Sequence, residues 1–429
     1  LKHILLLIAL LLVGCAPGLV NQGKKMVDAE QYDQAIEMYY QEIANNPTNL
    51  NAWRELGIAY YKSGDLTKAE DALKKGSKAD PGTHLYLGLV LEAGGNYDHA
   101  IKSYAAALKL DPGGQTEKMV RAHLDQLIQT KLNQEVSEAL GNEAAIDASS
   151  IPQNTIAVGD FDGSNLDPKI APIARGLAEL TAADLTKVES LRVVERLKIE
   201  YLLKELELGS SGLTDPSQAP RVGRLLGSSR VVTGSALSIG EGGIRIDGIV
   251  VNTTDSTVQM AEPQEGEVTK LFEVQKSFVF DVLDNMGVQL TVSERDAIRT
   301  VPTESHLAFM AYCRGLDYRS RGMLSSAQLE FQQALGYDQS FSEAGQQMQA
   351  VNNSLARMQI GDVSLQELET IASAELTAMS QQTAGGLLTI LSNAGLIRHV
   401  SGKTNSTADK EPVVNETGAA QIRGNLDGN

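Results

Sequence analysis

The amino-acid sequence predicts an α+β chain: an N-terminal α-solenoid of helical repeats, a small central α/β domain with a mixed sheet, and further repeat-type helices after it. Three observations carry this expectation. A Gly, an Ala and a Pro recur at fixed spacing three times before residue 113. From residue 154 the pattern changes to short β-branched runs punctuated by glycines. The Gly and Ala spacing then returns at Gly315 and Ala327.

In chain order, Lys2 and His3 precede the ten-residue apolar run Ile4 to Val13, which ends at Gly14-Cys15. Ten helical residues rise about 15 Å, half of the roughly 30 Å hydrocarbon core, so residues 1–14 read as a secretory signal rather than a spanning helix. Leu12-Val13-Gly14-Cys15 resembles the bacterial lipobox. That resemblance implies cleavage before Cys15, a diacylglycerol on its thiol and an amide-linked acyl chain. Each buried methylene adds about 0.8 kcal/mol, so such an anchor is effectively permanent. Ala16, where an Asp would retain a lipoprotein in the inner membrane, implies the outer membrane and a protein facing the periplasm. With Cys15 acylated, Cys313 has no partner, and stability must come from packing. The net charge of −17 argues against nucleic acid or an anionic bilayer surface as partner.

The repeats follow. Trp53, Leu56, Gly57, Tyr60, Ala69, Leu73 and Pro81 define one frame. Gly23, Ala35, Tyr39 and Pro47 fit it before, and Gly88, Ala100, Tyr104, Ala107 and Pro112 after; Gly to Pro is 24 residues each time. These spacings resemble the tetratricopeptide unit, in which the small residues mark where two helices cross too closely for a large side chain. Pro47 to Gly57 is 10 residues but Pro81 to Gly88 is 7, which predicts a shortened first helix in the third repeat. Residues 117–140 carry one apolar stripe, Met119, Val120, His123, Leu124, Leu127, Ile128, Leu132 and Val136, and so predict a polar-faced capping helix that completes a unit over 15–140. A fourth copy lies in the region 301–380, at Tyr312, Gly315, Tyr318, Ala327, Phe331 and Ala334, with Gln339 in place of the closing proline and Cys313 as a core thiol. Residues 344–380 read as further helix and 381–429, rich in Asn, Gly, Thr and Ser, as a mostly disordered tail.

Between the repeat regions, a linker over 141–153 leads to a strand at Thr155 to Phe161. Helices are expected at 171–187, 196–208 and 217–226, and strands at 191–194, 229–239, 244–252 and 257–261, with Gly240, Gly242 and Gly243 supplying a hairpin turn. The runs IAVGDFDGSN, ARGLAELTAADLTKVESLRVVER and VGRLLGSSRVVTGSALSIGEGGIRIDGIVVN resemble the CsgG/FlgO/TolB-N-terminal-like group over residues 154–300. The resemblance implies a small α/β periplasmic domain, a place in envelope assembly or secretion of the curli type, and self-association as a homo-oligomer. A pore of that family also needs long membrane hairpins, each barrel strand about 9–11 residues. The one candidate, Val231 to Val251, is already needed for the sheet: Arg245 and Asp247 share one face, Ile244 and Ile246 the other.

The histidines at 3, 84, 99, 123, 306 and 399 form no His-Glu-x-x-His, and no Cys-x-x-Cys pair exists. Asp160-x-Asp162-Gly163 lacks the offsets of a calcium loop, Gly240-Glu-Gly-Gly243 and Gly209-Ser-Ser-Gly212 lack the Lys-Ser/Thr of a phosphate cradle, and no Gly-x-Ser-x-Gly elbow occurs. The expectation is therefore no catalytic residue, cofactor or metal. Function is assigned instead to a concave groove lined by first helices, with Asn51, Arg54, Glu55, Ile58 and Tyr61 as candidates to meet a partner. The chain reads as a non-catalytic scaffold, anchored through Cys15, for other envelope proteins. The alternative is an oligomeric subunit or accessory of a secretion channel.

Overall fold

A computed structural model describes residues 18–208, 213, 215 and 217–374. The signal segment, Cys15, the glycines at 209 and 212 and the tail 381–429 lie outside the described residues.

Three helix pairs come first: α1 (Leu19–Asp28) with α2 (Tyr32–Asn45), α3 (Leu50–Ser63) with α4 (Leu66–Leu73), and α5 (Pro81–Ala93) with α6 (Tyr97–Lys109). Their boundaries follow from local chemistry. The Asn49 side chain accepts the Ala52 amide at the start of α3, and Asp65 and Asp80 do the same for α4 and α5. Gly64 ends α3 at φ 87°, a conformation other residues adopt only with strain. Within each pair a glycine faces the side chain sixteen positions on: Gly23 with Tyr39, Gly57 with Leu73, Gly88 with Tyr104. A Cβ on any of these glycines would overlap its partner. The repeat spacing therefore encodes a helix crossing closed by an aromatic ring or a leucine.

The expected shortening of the third repeat falls elsewhere. Helix α5 has 13 residues against 14 in α3, because Pro81 opens α5 from its first turn while also closing the repeat before it. The lost length lies in α4, which has 8 residues.

Helix α7 (Gly114–Gly141) is not a terminal cap with a solvated outer face. Val120, Leu124 and Leu127 join the repeat core, while Val136 joins the core of the sheet domain. The side expected to meet water carries a second helix, as described below.

The central domain is a six-stranded mixed sheet ordered β2-β1-β3-β4-β5, with β6 beside β4. Its strands are β1 (Thr155–Asn165), β2 (Arg192–Val193), β3 (Arg230–Ile239), β4 (Gly243–Asn252), β5 (Val258–Met260) and β6 (Gln264–Glu267). Strand β1 runs parallel to β2 and β3, and the remaining pairs are antiparallel. Because β1 is covered on both faces it reads as a continuous apolar run. Ile156 and Val158 meet α8 (Ile173–Thr186) and α11 (Leu271–Asn285), whereas Ala157 meets α9 (Arg196–Glu205) and α10 (Ala219–Leu225). On β4, Ile244 and Ile246 are buried, and Arg245 and Asp247 pair with each other at 2.8 Å on the opposite face. Gly240 and Gly242 make the hairpin turn at φ 55° and 76°. Strand β6, α11 and α12 (Val292–Arg299) complete the domain; none of them was anticipated individually. The segment 141–153 is pinned rather than a loose linker, since Glu143 pairs with Arg221 at 2.7 Å and Ile151 is buried.

Helices α13 (His306–Ser320) and α14 (Leu324–Tyr337) repeat the N-terminal pairing, with Phe331 filling the site of Gly315. Helix α15 (Ser342–Ile360) continues the stack despite the missing proline: Phe341, fully buried, packs on Tyr312 with ring centroids 4.9 Å apart. The first helix of this pair docks on α8, where Gly176 leaves room for the Cys313 thiol and the Phe309 ring. Burial raises the thiol pKa well above its ordinary value, which makes Cys313 a core residue. Gly361, at φ 81°, breaks the helix, and α16 occupies residues 365–374. Among the described residues no helix is long and apolar enough to cross a membrane.

Candidate partner-binding groove

The groove-facing surface is formed by the first helices α3 and α5 together with α7. In this structure the chain itself lies across it. Val363, Leu368 and Ala372 are buried in the same core as the repeats. Lys62 on α3 reaches Glu369 at 2.6 Å, the Tyr86 hydroxyl on α5 and Ser373 Oγ are 2.6 Å apart, and the Val363 amide donates to Gln126 Oε1 on α7 at 2.9 Å.

His123, on α7, is the most constrained polar group here. Its Nδ1 lies 2.7 Å from the Val363 carbonyl and its Nε2 lies 2.8 Å from Glu92 Oε2 on α5. Both partners accept, so the ring satisfies both only as an imidazolium. Burial opposes that charge, but the hydrogen bond and charge of Glu92 and the Val363 carbonyl outweigh it and raise the pKa. Tyr104 on α6 also donates to Glu92 Oε2, at 2.9 Å, and its ring stands edge-on to the imidazole.

Helix α15 lies along α7 and secures the approach to this contact. Arg121 donates to Asn353 at 3.1 Å, Ser354 to Asp125 at 2.5 Å, and Arg357 bridges Asp125 and Asp362.

The five sequence candidates divide. Asn51 is exposed and touches none of this. Arg54 and Glu55 are buried in an ion-pair ladder that joins repeats: Arg54 binds Glu55 at 2.8 Å and Asp80 at 2.9 Å, and Lys24 binds Glu55 at 3.1 Å. Ile58 belongs to the repeat core. Tyr61 alone faces the crossing segment, packed edge-on against Tyr86 at 6.2 Å with its pKa raised by burial and by the nearby Glu369 carboxylate, to about 12. The groove residues missed by the sequence reading are Lys62, Tyr86, His123 and Gln126. Lys62 follows Tyr61 directly but lies about 100° further round the helix, so the choice of Tyr61 did not carry Lys62 with it.

The packing-frame residues lie as follows. Ala35, Ala69, Ala100, Ala327 and Ala334 are fully buried beside the glycines, and Leu56 is buried with them. The Tyr60 hydroxyl meets that of Tyr40 at 2.9 Å, and Trp53 is half-buried under the Lys75 ammonium at 4.5 Å. Pro47 is exposed and Pro112 half-buried.

A second charged cluster sits beside the middle of β1. Half-buried Arg196 holds Asp160, Glu179 at 2.9 Å and the Val158 carbonyl at 2.8 Å, and Arg175 also reaches Asp160 at 3.1 Å. Asp160 is thus an ion-pair partner, and Asp162 accepts the Ser164 amide within the irregular last part of β1. An open cleft of about 540 Å³ borders this cluster, between Glu179, Val194, Arg196 and the Arg319 and Gln347 side chains.

Residues 26–92 and 81–113 match tetratricopeptide-repeat family models, and residues 145–261 match the model described as curli production assembly/transport component CsgG. Among curated proteins, the chain is 27% identical over 136 residues to small glutamine-rich tetratricopeptide repeat-containing protein 2 of Mycosarcoma maydis, covering 31% of this chain and 39% of that one. It is 31% identical over 87 residues to general transcriptional corepressor trfA of Dictyostelium discoideum, covering 19% of this chain and 6% of that one. Of solved structures, the LpoB C-terminal domain from Salmonella enterica is similar at 15% identity and TM-score 0.20, over 27% of this chain and 82% of that one. A tetratricopeptide repeat protein from Parabacteroides merdae is similar at 12% identity and TM-score 0.24, over 78% of this chain and 97% of that one. The chain therefore joins tetratricopeptide repeats to a central domain of the CsgG family.

Proposed function

We propose that this protein is a non-catalytic scaffold of the bacterial cell envelope, anchored to the outer membrane by acylation of Cys15 and facing the periplasm, where its repeats gather other envelope proteins for assembly or secretion of the curli type. The observation that carries the reading is the joining of a repeat groove to a CsgG-family domain in one chain, with α7 packed into both cores. The lipobox resemblance of Leu12 to Cys15 supports the anchor, and the acidic balance supports a protein rather than a nucleic-acid partner. The described polar clusters are spent on joining elements: Arg196 holds the middle of β1, and Asp184 holds Lys276 at 2.6 Å. A secretion-channel subunit is the weaker reading, because the ten residues of β3 pair along their length with β4 inside the sheet.

The test is metabolic labelling with a palmitate analogue in cells expressing the wild type or Cys15→Ser. The expected result is label and outer-membrane fractionation for the wild type, and an unlabelled, periplasmic Cys15→Ser form. Equal labelling or equal fractionation of the two would remove the anchor. Light scattering of the detergent-extracted protein separates the two readings: a closed ring favours a channel or its collar, a monomer the scaffold.

A further inference from the structure

The segment that crosses the groove has the features of a ligand rather than of a trailing end. It begins at the break made by Gly361 and opens with its own capping box: the Glu367 amide donates to Ser364 Oγ at 3.2 Å, and the Ser364 amide to Glu367 Oε2 at 2.8 Å. Leu365, Leu368 and Ala372 then fall at i, i+3 and i+7, the spacing by which an amphipathic helix lays one face into a groove. Residues 361–374 include Asp362, Glu367 and Glu369 and no Lys, Arg or His, and Glu369 meets the Lys62 ammonium.

We propose that α16 is a resident ligand of the repeat groove, so that the groove selects an acidic amphipathic helix and a partner of that kind enters only by displacing the chain's own. The partner presents two aliphatic anchors, a small residue and a carboxylate at the positions of Leu365, Leu368, Ala372 and Glu369. This inference rests on the reading of the repeats as a protein-binding module, and it makes that module closed by default. Displacement need not disturb the sheet domain, because α15 keeps its own bonds to α7 through Asn353, Ser354 and Arg357.

The test uses the full chain and a fluorescein-labelled peptide of residues 361–374. Leu368→Asp places a charge where the groove is apolar and lies outside the repeats, so it opens the groove without altering its walls. By fluorescence anisotropy the peptide is expected to bind Leu368→Asp at least tenfold more tightly than the wild type. Adding Lys62→Glu should abolish that binding, and a peptide carrying Glu369→Lys should restore it. In the intact chain, Glu369→Lys should lower hydrogen-exchange protection over 365–374, and the Lys62→Glu/Glu369→Lys pair should recover it. Equal binding to wild type and Leu368→Asp, binding to neither, or failure of the charge swap would overturn the proposal. If the peptide behaves as expected but Leu368→Asp captures no more envelope protein than the wild type, the closed groove stands and the scaffold reading falls.

Discussion

The N-terminal repeats and the C-terminal one share a frame but not a role. In both, a glycine on the first helix receives a side chain sixteen residues on, Leu73 or Tyr104 in one region and Phe331 in the other. What the outer side of the first helix meets is different. On α3 and α5 it forms a groove crossed by a short helix that buries Leu368 and Ala372 and adds a few polar contacts. On α13 it is sealed against α8, with Phe309 and Cys313 buried and Phe309 stacked edge-on against Phe272 at 5.0 Å. The repeat frame thus fixes how two helices cross, and leaves the remaining face to be used for recognition or consumed by the fold.

The largest expected effect comes from removing the shared ring. Phe331→Ala should cost about 3–5 kcal/mol, and Tyr104→Ala a comparable amount. The distribution of the loss is the informative part: denaturant unfolding followed by hydrogen exchange should show α8 and α13 losing protection together in the first variant, and only the neighbouring repeats in the second, as expected of a stack held by nearest-neighbour contacts. Identical maps would break the comparison.

Gly176→Val tests the sealed face directly. Its added carbons collide with the Cys313 thiol, so a loss of about 1–3 kcal/mol is expected, read from the denaturation midpoint. Gly176→Val combined with Cys313→Ala should recover part of it.

Asp80→Ala removes the cap of α5 and the Arg54 partner together, with about 1 kcal/mol expected from the cap alone. Burial raises the Asp80 pKa, but Arg54 and the Thr83 bonds prevail and lower it. Its contribution is therefore full above the ordinary carboxylate range and is lost as pH falls through the lowered value. An acid titration of stability should be flatter in Asp80→Asn than in the wild type.

The smallest effect is the pH response of the groove contact. The folded pKa of His123 is raised, so its contribution is present below the ordinary histidine value and is lost as pH rises through the folded value. Protection of 365–374 should fall over that range, with Glu92, Tyr104 and the Val363 carbonyl as the groups facing the ring. His123→Gln should remove the pH dependence while keeping α16 in place.

The sequence was most legible where geometry leaves little choice. Gly57, Ala69 and Pro81 announce a helix crossing because larger side chains do not fit, and the alternation of Ile244, Arg245, Ile246 and Asp247 announces a sheet face. It was least legible where one helix serves two cores. The stripe from Val120 to Val136 looks like a single apolar face, yet its ends pack into different cores. Arg54 and Glu55 occupy first-helix positions suited to a groove, but their charges find each other and Asp80 first. The occupant of the groove was hidden for a related reason: residues 344–380 read as further helix, and although Gly361 breaks the helix locally, the return of α16 onto the repeats is fixed by contacts far away in the chain, such as the Val363 amide on Gln126.

Helix α7 sets an angular phase. Its 28 residues rise about 42 Å, and each residue advances the helix by about 100°. With no loop between the part bound by the repeats and the part bound by the sheet, the azimuth at which the groove looks out from the sheet is written in the residue count between Leu127 and Val136. One residue inserted there would turn one core by about 100° about the helix axis and shear α15 from its seat, whereas seven would bring the faces back within about 20°. The length of that single segment is therefore an orientation code for whatever the two modules hold.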